Sequence, residues 1–135
     1  MKALGLDLGS KRVGVAFSSG LVATPYEVVE RGRDRERILE LVEETGAEIV
    51  VIGLPYSLDG SKGPAARLVE AEVAELRDVL SVPVETYDER FTTVTAHQSL
   101  QARKMKADAR RRVVDKVAAA VMLQSWLDSQ PQASS

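Results

Sequence analysis

The chain opens with a strict alternation. Leu4, Leu6 and Leu8 fall on one side of an extended segment and Ala3, Gly5 and Asp7 on the other, which predicts a strand over Lys2 to Leu8. Gly9-Ser10-Lys11-Arg12 has turn chemistry, and Val13 to Ser18 reads as a second strand returning antiparallel to the first. A third strand is expected near Pro25 to Glu30. The pattern then changes period: Ile38, Leu39, Leu41 and Val42 lie at helical spacing within Asp34 to Thr45, with Asp34 as the expected cap and Gly46 as the stop. Ile49 to Ile52 is a β-branched run, the mark of a strand buried on both faces.

Gly53 to Pro64 holds too many breakers for a regular element and is expected to be a long loop, a length that often carries function. A helix over Ala65 to Leu80 feeds a strand over Val82 to Tyr87, closed by Asp88-Glu89-Arg90. A helix capped by Thr92 or Thr93 follows, to about Arg103, and then a final helix from Ala109 to about Leu127 capped by Asp108. This order, a hairpin-led set of three strands followed by alternating helix and strand, predicts an α/β layered domain on a mixed five-stranded sheet. Residues 1–129 are expected to form one domain and 130–135 a polar, frayed tail.

Composition narrows the chemistry. A chain of 135 residues, 44% hydrophobic, has room for one core and one site. With no cysteine, disulfides, thiolate zinc sites and cysteine nucleophiles are excluded. No apolar signal region precedes Asp7 and no stretch approaches a membrane span, so a soluble cytoplasmic protein is expected, without a membrane partner. The formal charge of -2 conceals a local excess: Arg103, Lys104, Lys106, Arg110, Arg111, Arg112 and Lys116 stand against only Asp108 and Asp115 between Gln101 and Lys116. Such a stretch can neutralise several backbone phosphates. A solvated helix face beside a basic loop is its plainer reading.

Three acidic positions stand out. Asp7 lies in a strand that should be central, where an ionised carboxylate costs several kcal/mol unless paired, hydrogen-bonded or bound to metal. Asp115 has Ala118, Ala119 and Met122 as its helical neighbours, so it lies on or beside the buried stripe of the last helix. The alanines of that stripe suit a close approach to Ala3 and Gly5, the face that presents Asp7. Asp88-Glu89 ends a strand, where α/β sheets expose their chemistry, and alternation allows only one of the two to join the others; periodicity leaves open which. Plainer roles exist for each: turn hydrogen bonds for Asp7, a pair with Arg111 or Arg112 for Asp115, a solvated turn for Asp88 and Glu89.

If three carboxylates converge, two of them about 5 Å apart repel by roughly 3 kcal/mol at an effective dielectric near 20, and a counterion becomes necessary. Magnesium or manganese, with their preference for oxygen ligands, is the expected remedy, and two such ions suit phosphodiester hydrolysis. Lys11, Arg12 and Arg90 are further phosphate candidates near the carboxylates. His97, the only histidine, supports no triad, and Trp126 with Met122 is expected in the core or at an interface. The glycines at 5, 9 and 14 and the Gly60-Ser61-Lys62-Gly63 run match no nucleotide fingerprint.

Taken together, Leu6-Asp7-Leu8-Gly9-Ser10-Lys11-Arg12-Val13-Gly14-Val15-Ala16, Val51-Ile52-Gly53-Leu54-Pro55 with Asp59-Gly60-Ser61, Asp88-Glu89-Arg90-Phe91-Thr92-Thr93 and Asp115-Lys116-Val117-Ala118-Ala119 resemble the YqgF family, also called RuvX, of Holliday junction resolvases and pre-16S rRNA processing nucleases. The segments span nearly the whole chain, and their order is more specific than any one of them. The resemblance implies a ribonuclease H-like fold related to the RuvC resolvase. It also implies metal-ligand roles for Asp7, Glu89 and Asp115, with Glu89 preferred to Asp88, and substrate contacts for Arg90 and Thr93. RNA and branched DNA are both implied as partners, and junction cutting would call for a homodimer. Two other classes compete: a non-catalytic nucleic-acid-binding factor in transcription or ribosome assembly, and a phosphate-binding module of the sugar-kinase and actin type, which the short chain disfavours.

Overall fold

The structure, a computed structural model, describes residues 1–56, 60–89 and 107–130, the last segment with side chains from Arg112 onward. The expected helix after Thr92, His97 and the tail beyond Gln130 lie outside the described residues. Five strands, β1 (Ala3–Leu8), β2 (Arg12–Ser18), β3 (Ala23–Glu30), β4 (Ile49–Leu54) and β5 (Val84–Asp88), form one sheet in the order β3-β2-β1-β4-β5. The first three pair antiparallel, whereas β4 runs parallel to both β1 and β5. Among the described residues three helices accompany them: α1 (Asp34–Thr45), α2 (Pro64–Val79) and α3 (Ala107–Ser129).

Alternation along the strands assigns each layer. Leu4 and Leu6 of β1, Val13 and Val15 of β2 and Val50 and Ile52 of β4 pack with Ile38, Leu41, Val69 and Val73 of α1 and α2 into the larger core. The opposite face carries Ala3, Ala16 and Val51, and α3 covers it with Ala119, Ala120, Met122, Leu123 and Trp126. Every residue of β4 is buried, as a strand enclosed by helices on both sides must be. Trp126 is 7% exposed, which places it in the core. Gly5 lets α3 settle: a Cβ there would stand 2.9 Å from the Cβ of Leu123.

Element boundaries differ from expectation where local chemistry is subtler than its residue types. Asp34 does not cap α1; Arg33 holds that position without a side-chain bond, and Asp34 sits in the first turn, accepting from the Gly32 N–H and the Arg31 guanidinium. Gly46 does end α1, in the left-handed conformation at φ 68°. Asp108 lies inside α3 rather than at its cap. β4 continues through Leu54, and α2 begins at Pro64, where a missing N–H costs nothing, so the expected long loop is shorter at both ends. Among the described residues, no helix is long and apolar enough to cross a membrane.

Candidate active site

Strand register carries the three acidic residues toward one another. Asp7 pairs with Gly14 across β1 and β2, and the parallel pairs Gly5↔Val51 and Leu6↔Ile52 bring Gly53 of β4 level with it. A row of Gly14, Asp7 and Gly53 therefore crosses three adjacent strands on the face covered by α3. Neither glycine leaves room for a larger residue. A Cβ at Gly14 would lie 2.0 Å from the carbonyl oxygen of Asp115, and a Cβ at Gly53 would lie 2.5 Å from the Oε1 of Glu89. The helix backbone rests on the first glycine and the Glu89 carboxyl on the second.

The same register decides between Asp88 and Glu89. Asp88 pairs with Leu54, whose side chain belongs to the α1 and α2 core, while Tyr87 pairs with Gly53 and packs toward α3. Glu89, two residues beyond Tyr87 and just past the end of β5, thus reaches the face of Asp7. The Asp7 and Glu89 carboxyls meet in a side-chain hydrogen bond. Burial raises both groups above the ordinary carboxylate range. For Glu89, the charge of Asp7, the shared hydrogen bond and the charge of Asp88 add to it, pushing the value to about 8. For Asp7, the hydrogen bond from Glu89 works downward and the charge of Asp115 upward, and the balance is a raised pKa.

Asp115 is close enough to raise Asp7, yet its own carboxylate is engaged: Arg12 Nε donates to Oδ2 at 2.8 Å, with side-chain exposures of 16% and 31%. Arg12 lies on β2 two residues before Gly14 and on the same face. Of the two partners the plainer reading offered Asp115, Arg112 turns instead to Glu30, and the side chain of Arg111 lies outside the described residues. Among the described residues, no three acidic or histidine side chains stand ready as a cage for a metal ion. Asp7 and Glu89 are brought into contact, and Asp115 is brought beside them under the hold of an arginine.

Of the expected phosphate contacts, Lys11 is exposed in the turn after β1 and Lys116 is half-buried on α3, one residue past Asp115. Arg110 and Arg111 belong to α3, with side chains outside the described residues. Arg90, Thr93, Arg103, Lys104 and Lys106 lie outside the described residues altogether.

Two contributions were not read from the sequence. Arg31 donates from Nε to the Gly9 carbonyl at 2.8 Å and forks onto Glu72 at 2.6 and 3.0 Å, tying the turn that follows Asp7 to α2. No spacing links residues 41 positions apart, so nothing in the sequence announces it. The fit at Gly14 did leave a trace: Gly14 and Ala16 share one side of β2, opposite Val13 and Val15, as small residues do where a helix comes close.

Known proteins resemble this chain over most of its length. The family described as RuvX, Holliday junction resolvase, matches residues 1–129. A relative from Trichormus variabilis is 44% identical over 133 residues, covering 95% of this chain and 88% of its own; one from Geobacillus kaustophilus is 41% identical over 136 residues, covering 96% and 99%. Both bear the name "Putative pre-16S rRNA nuclease". Among solved structures, RuvC from T. thermophilus in complex with a Holliday junction substrate superposes with a TM-score of 0.58 at 19% identity, covering 95% of each chain. That likeness establishes the ribonuclease H-like fold of RuvC for this sheet and its helices.

Proposed function

The chain belongs to the RuvX family of Holliday junction resolvases, and from that premise we propose that it is a divalent-metal-dependent nuclease cutting phosphodiester bonds in structured nucleic acid. Asp7, Glu89 and Asp115 are the metal ligands in this reading. One observation carries it: a half-buried carboxyl pair, Asp7 with Glu89, is formed at one end of the sheet with the charge of a third acid, Asp115, acting on it. Folding assembles this repulsion from three distant parts of the chain, and a site of that kind is stable in its ionised form only with a cation present.

The residues fit magnesium or manganese. Their donors are all carboxylate oxygens, the hard ligands these ions prefer, and a cation there would offset the burial and the neighbouring negative charge that raise Glu89. When bound, such ions supply an activated water and charge stabilisation for the leaving oxygen. The chain supplies the rest. Asp7, central on β1, would hold the ions together with Glu89, from just past the end of β5, and Asp115, from α3; Gly14 and Gly53 fix how close these groups come. Lys11, Arg12 and Lys116, with Arg90, Thr93, Arg103, Lys104, Lys106, Arg110 and Arg111, are proposed to meet the phosphate backbone.

The relatives' name favours pre-16S rRNA as the substrate, with cytoplasmic processing at its 5′ end as the reading proposed, and the family's description favours branched DNA, for which a homodimer would supply two sites. The engagement of Asp115 by Arg12 favours a second reading, a nucleic-acid-binding factor that does not cut. Labelled structured RNA and a four-way DNA junction, incubated with the protein in EDTA, magnesium or manganese, separate the two. Metal-dependent cleavage that Asp7→Asn abolishes is the expected result. Binding to every substrate with no cleavage in any metal would establish the second reading instead.

A further inference from the structure

The Arg12 to Asp115 pair sits in an unusual place. An arginine can be partnered anywhere on the surface, yet this one lies on the α3-facing side of β2, two residues before the glycine on which the Asp115 backbone rests. Both side chains are largely covered, and the contact is a charge-assisted hydrogen bond of 2.8 Å. The carboxylate so engaged is the one whose charge acts on Asp7.

We propose that the Arg12 guanidinium is the resident counterion of Asp115, that a second divalent cation displaces it, and that the freed guanidinium then contacts a phosphate oxygen of the nucleic acid. This rests on the metal-nuclease reading above and assigns Arg12 a role in the order of events. A monovalent cation occupies the third carboxylate until a divalent one takes over, which keeps that acid from being left bare beside Asp7. The exchange leaves the backbone in place. The Asp115 backbone is wedged against Gly14, and Ala119 and Leu123 lie buried below it, so the helix does not have to move when its carboxylate changes partner. The guanidinium is not left without a purpose on release. It stands at the start of β2, the sheet end at which β1 delivers Asp7, next to the exposed Lys11, where a phosphate approaching the carboxylates must pass.

The test compares the full chain with Arg12→Gln, Arg12→Lys, Asp115→Asn and Asp7→Asn. Binding of manganese alone is followed by the paramagnetic resonance of the free ion, without nucleic acid, and cleavage of structured RNA is then measured at saturating manganese. Arg12→Gln is expected to bind its weaker ion about tenfold more tightly, the worth of one charge-assisted bond no longer in competition, while cleavage falls at least about tenfold. Arg12→Lys, which keeps the charge without the planar fork, should shift both in the same directions by about threefold and reports the effect should Arg12→Gln fail to fold. Asp115→Asn should lose the weaker ion. Manganese affinity unchanged or weakened in both Arg12 variants would overturn the displacement, and undiminished cleavage at saturating metal would overturn the phosphate contact. If Asp7→Asn binds manganese as the native chain does, the metal reading itself falls, an outcome distinct from either.

Discussion

The two faces of the sheet are built from alternate residues of the same strands, and they follow opposite rules. Toward α1 and α2, β1 and β2 present Leu4, Leu6, Val13 and Val15, each with 0% exposure. Toward α3, the same strands present Ala3, Gly5, Asp7, Arg12, Gly14 and Ala16. The first face gains stability from aliphatic area at roughly 25 cal/mol per Å². The second gives much of that up, and what it obtains is proximity: with little side-chain bulk between them, the α3 backbone comes within touching distance of β2, and Asp115 reaches the neighbourhood of Asp7. A charge-bearing site can exist on this sheet because the opposite face holds the fold together.

Substitutions on each face should break this division in opposite ways. Gly14→Ala forces a methyl into the space of the Asp115 carbonyl, which is backbone and cannot turn aside, so α3 must shift. Overpacking of this kind costs about 1–3 kcal/mol, and displacing a ligand by about 1 Å costs on the order of a hundredfold in rate. Leu6→Ala on the other face should cost about 2–5 kcal/mol in denaturant unfolding while the folded fraction keeps its cleavage rate within a few-fold. Should Gly14→Ala cut as fast as the native chain, the close-approach account of the second face would be wrong.

A milder lesion sharpens the same contrast. At Gly53 the obstructing atoms, Oε1, Cδ and Cγ, belong to the Glu89 side chain, which can turn about its Cα–Cβ bond where backbone cannot. Gly53→Ala should therefore lower cleavage by about tenfold, less than Gly14→Ala, with under about 1 kcal/mol lost from stability. Equal effects at the two glycines would mean that backbone and side-chain obstruction do not differ here.

The difference between the faces also explains what could be read from the sequence. The aliphatic face is local information: alternation of Leu4, Leu6 and Leu8 announces a strand, and the period change at Ile38 announces a helix. The site face was half legible. The alanines of α3 beside Ala3 and Gly5 foretold that helix and strand would pack closely, and Asp7 was conspicuous because a charge has no place in a central strand. Periodicity could not divide Glu89 from Asp88; the resemblance preferred Glu89, and the physical ground is the pairing of Tyr87 with Gly53, a fact of register between strands more than thirty residues apart. Arg12 with Asp115, and Arg31 with Glu72, join residues 103 and 41 positions apart through chain reversals that no periodicity encodes. The caps at Asp34 and Asp108 misled because an aspartate suits the first turn of a helix as well as its cap.

The carboxyl pair should be visible in stability as a function of pH. Glu89 ionises near 4.5 when exposed and near 8 in the fold. Between those values the unfolded chain has already released a proton that the folded chain retains, so unfolding gains favour with each increment of pH. In EDTA, the melting temperature should fall by several degrees from pH 5 to pH 8 on this account, and magnesium, which favours the ionised pair, should reverse the loss. Glu89→Gln removes the group responsible: it should melt higher than the native chain at pH 8 in EDTA, with a flatter pH profile, although it no longer cuts. A native profile that rises across this window in step with Glu89→Gln would show that the pair does not carry the strain assigned to it.

The smallest effect belongs to Arg31, which touches neither face directly. Its fork onto Glu72 and its bond to the Gly9 carbonyl brace the turn that follows Asp7, so its influence on the site passes through backbone position alone. Arg31→Lys keeps the charge but cannot bridge Glu72 and Gly9 with one planar group, and should cost about 1 kcal/mol of stability. The informative quantity is manganese affinity. If the turn holds Asp7 in register, affinity should drop about threefold in Arg31→Lys and in Glu72→Gln alike, because both release the same strut. The double variant should then be no worse than either single one, as expected for two residues acting through one contact. Additive losses would mean that Arg31 and Glu72 stabilise the molecule separately, and that Asp7 owes its position to the glycine row and the sheet register alone.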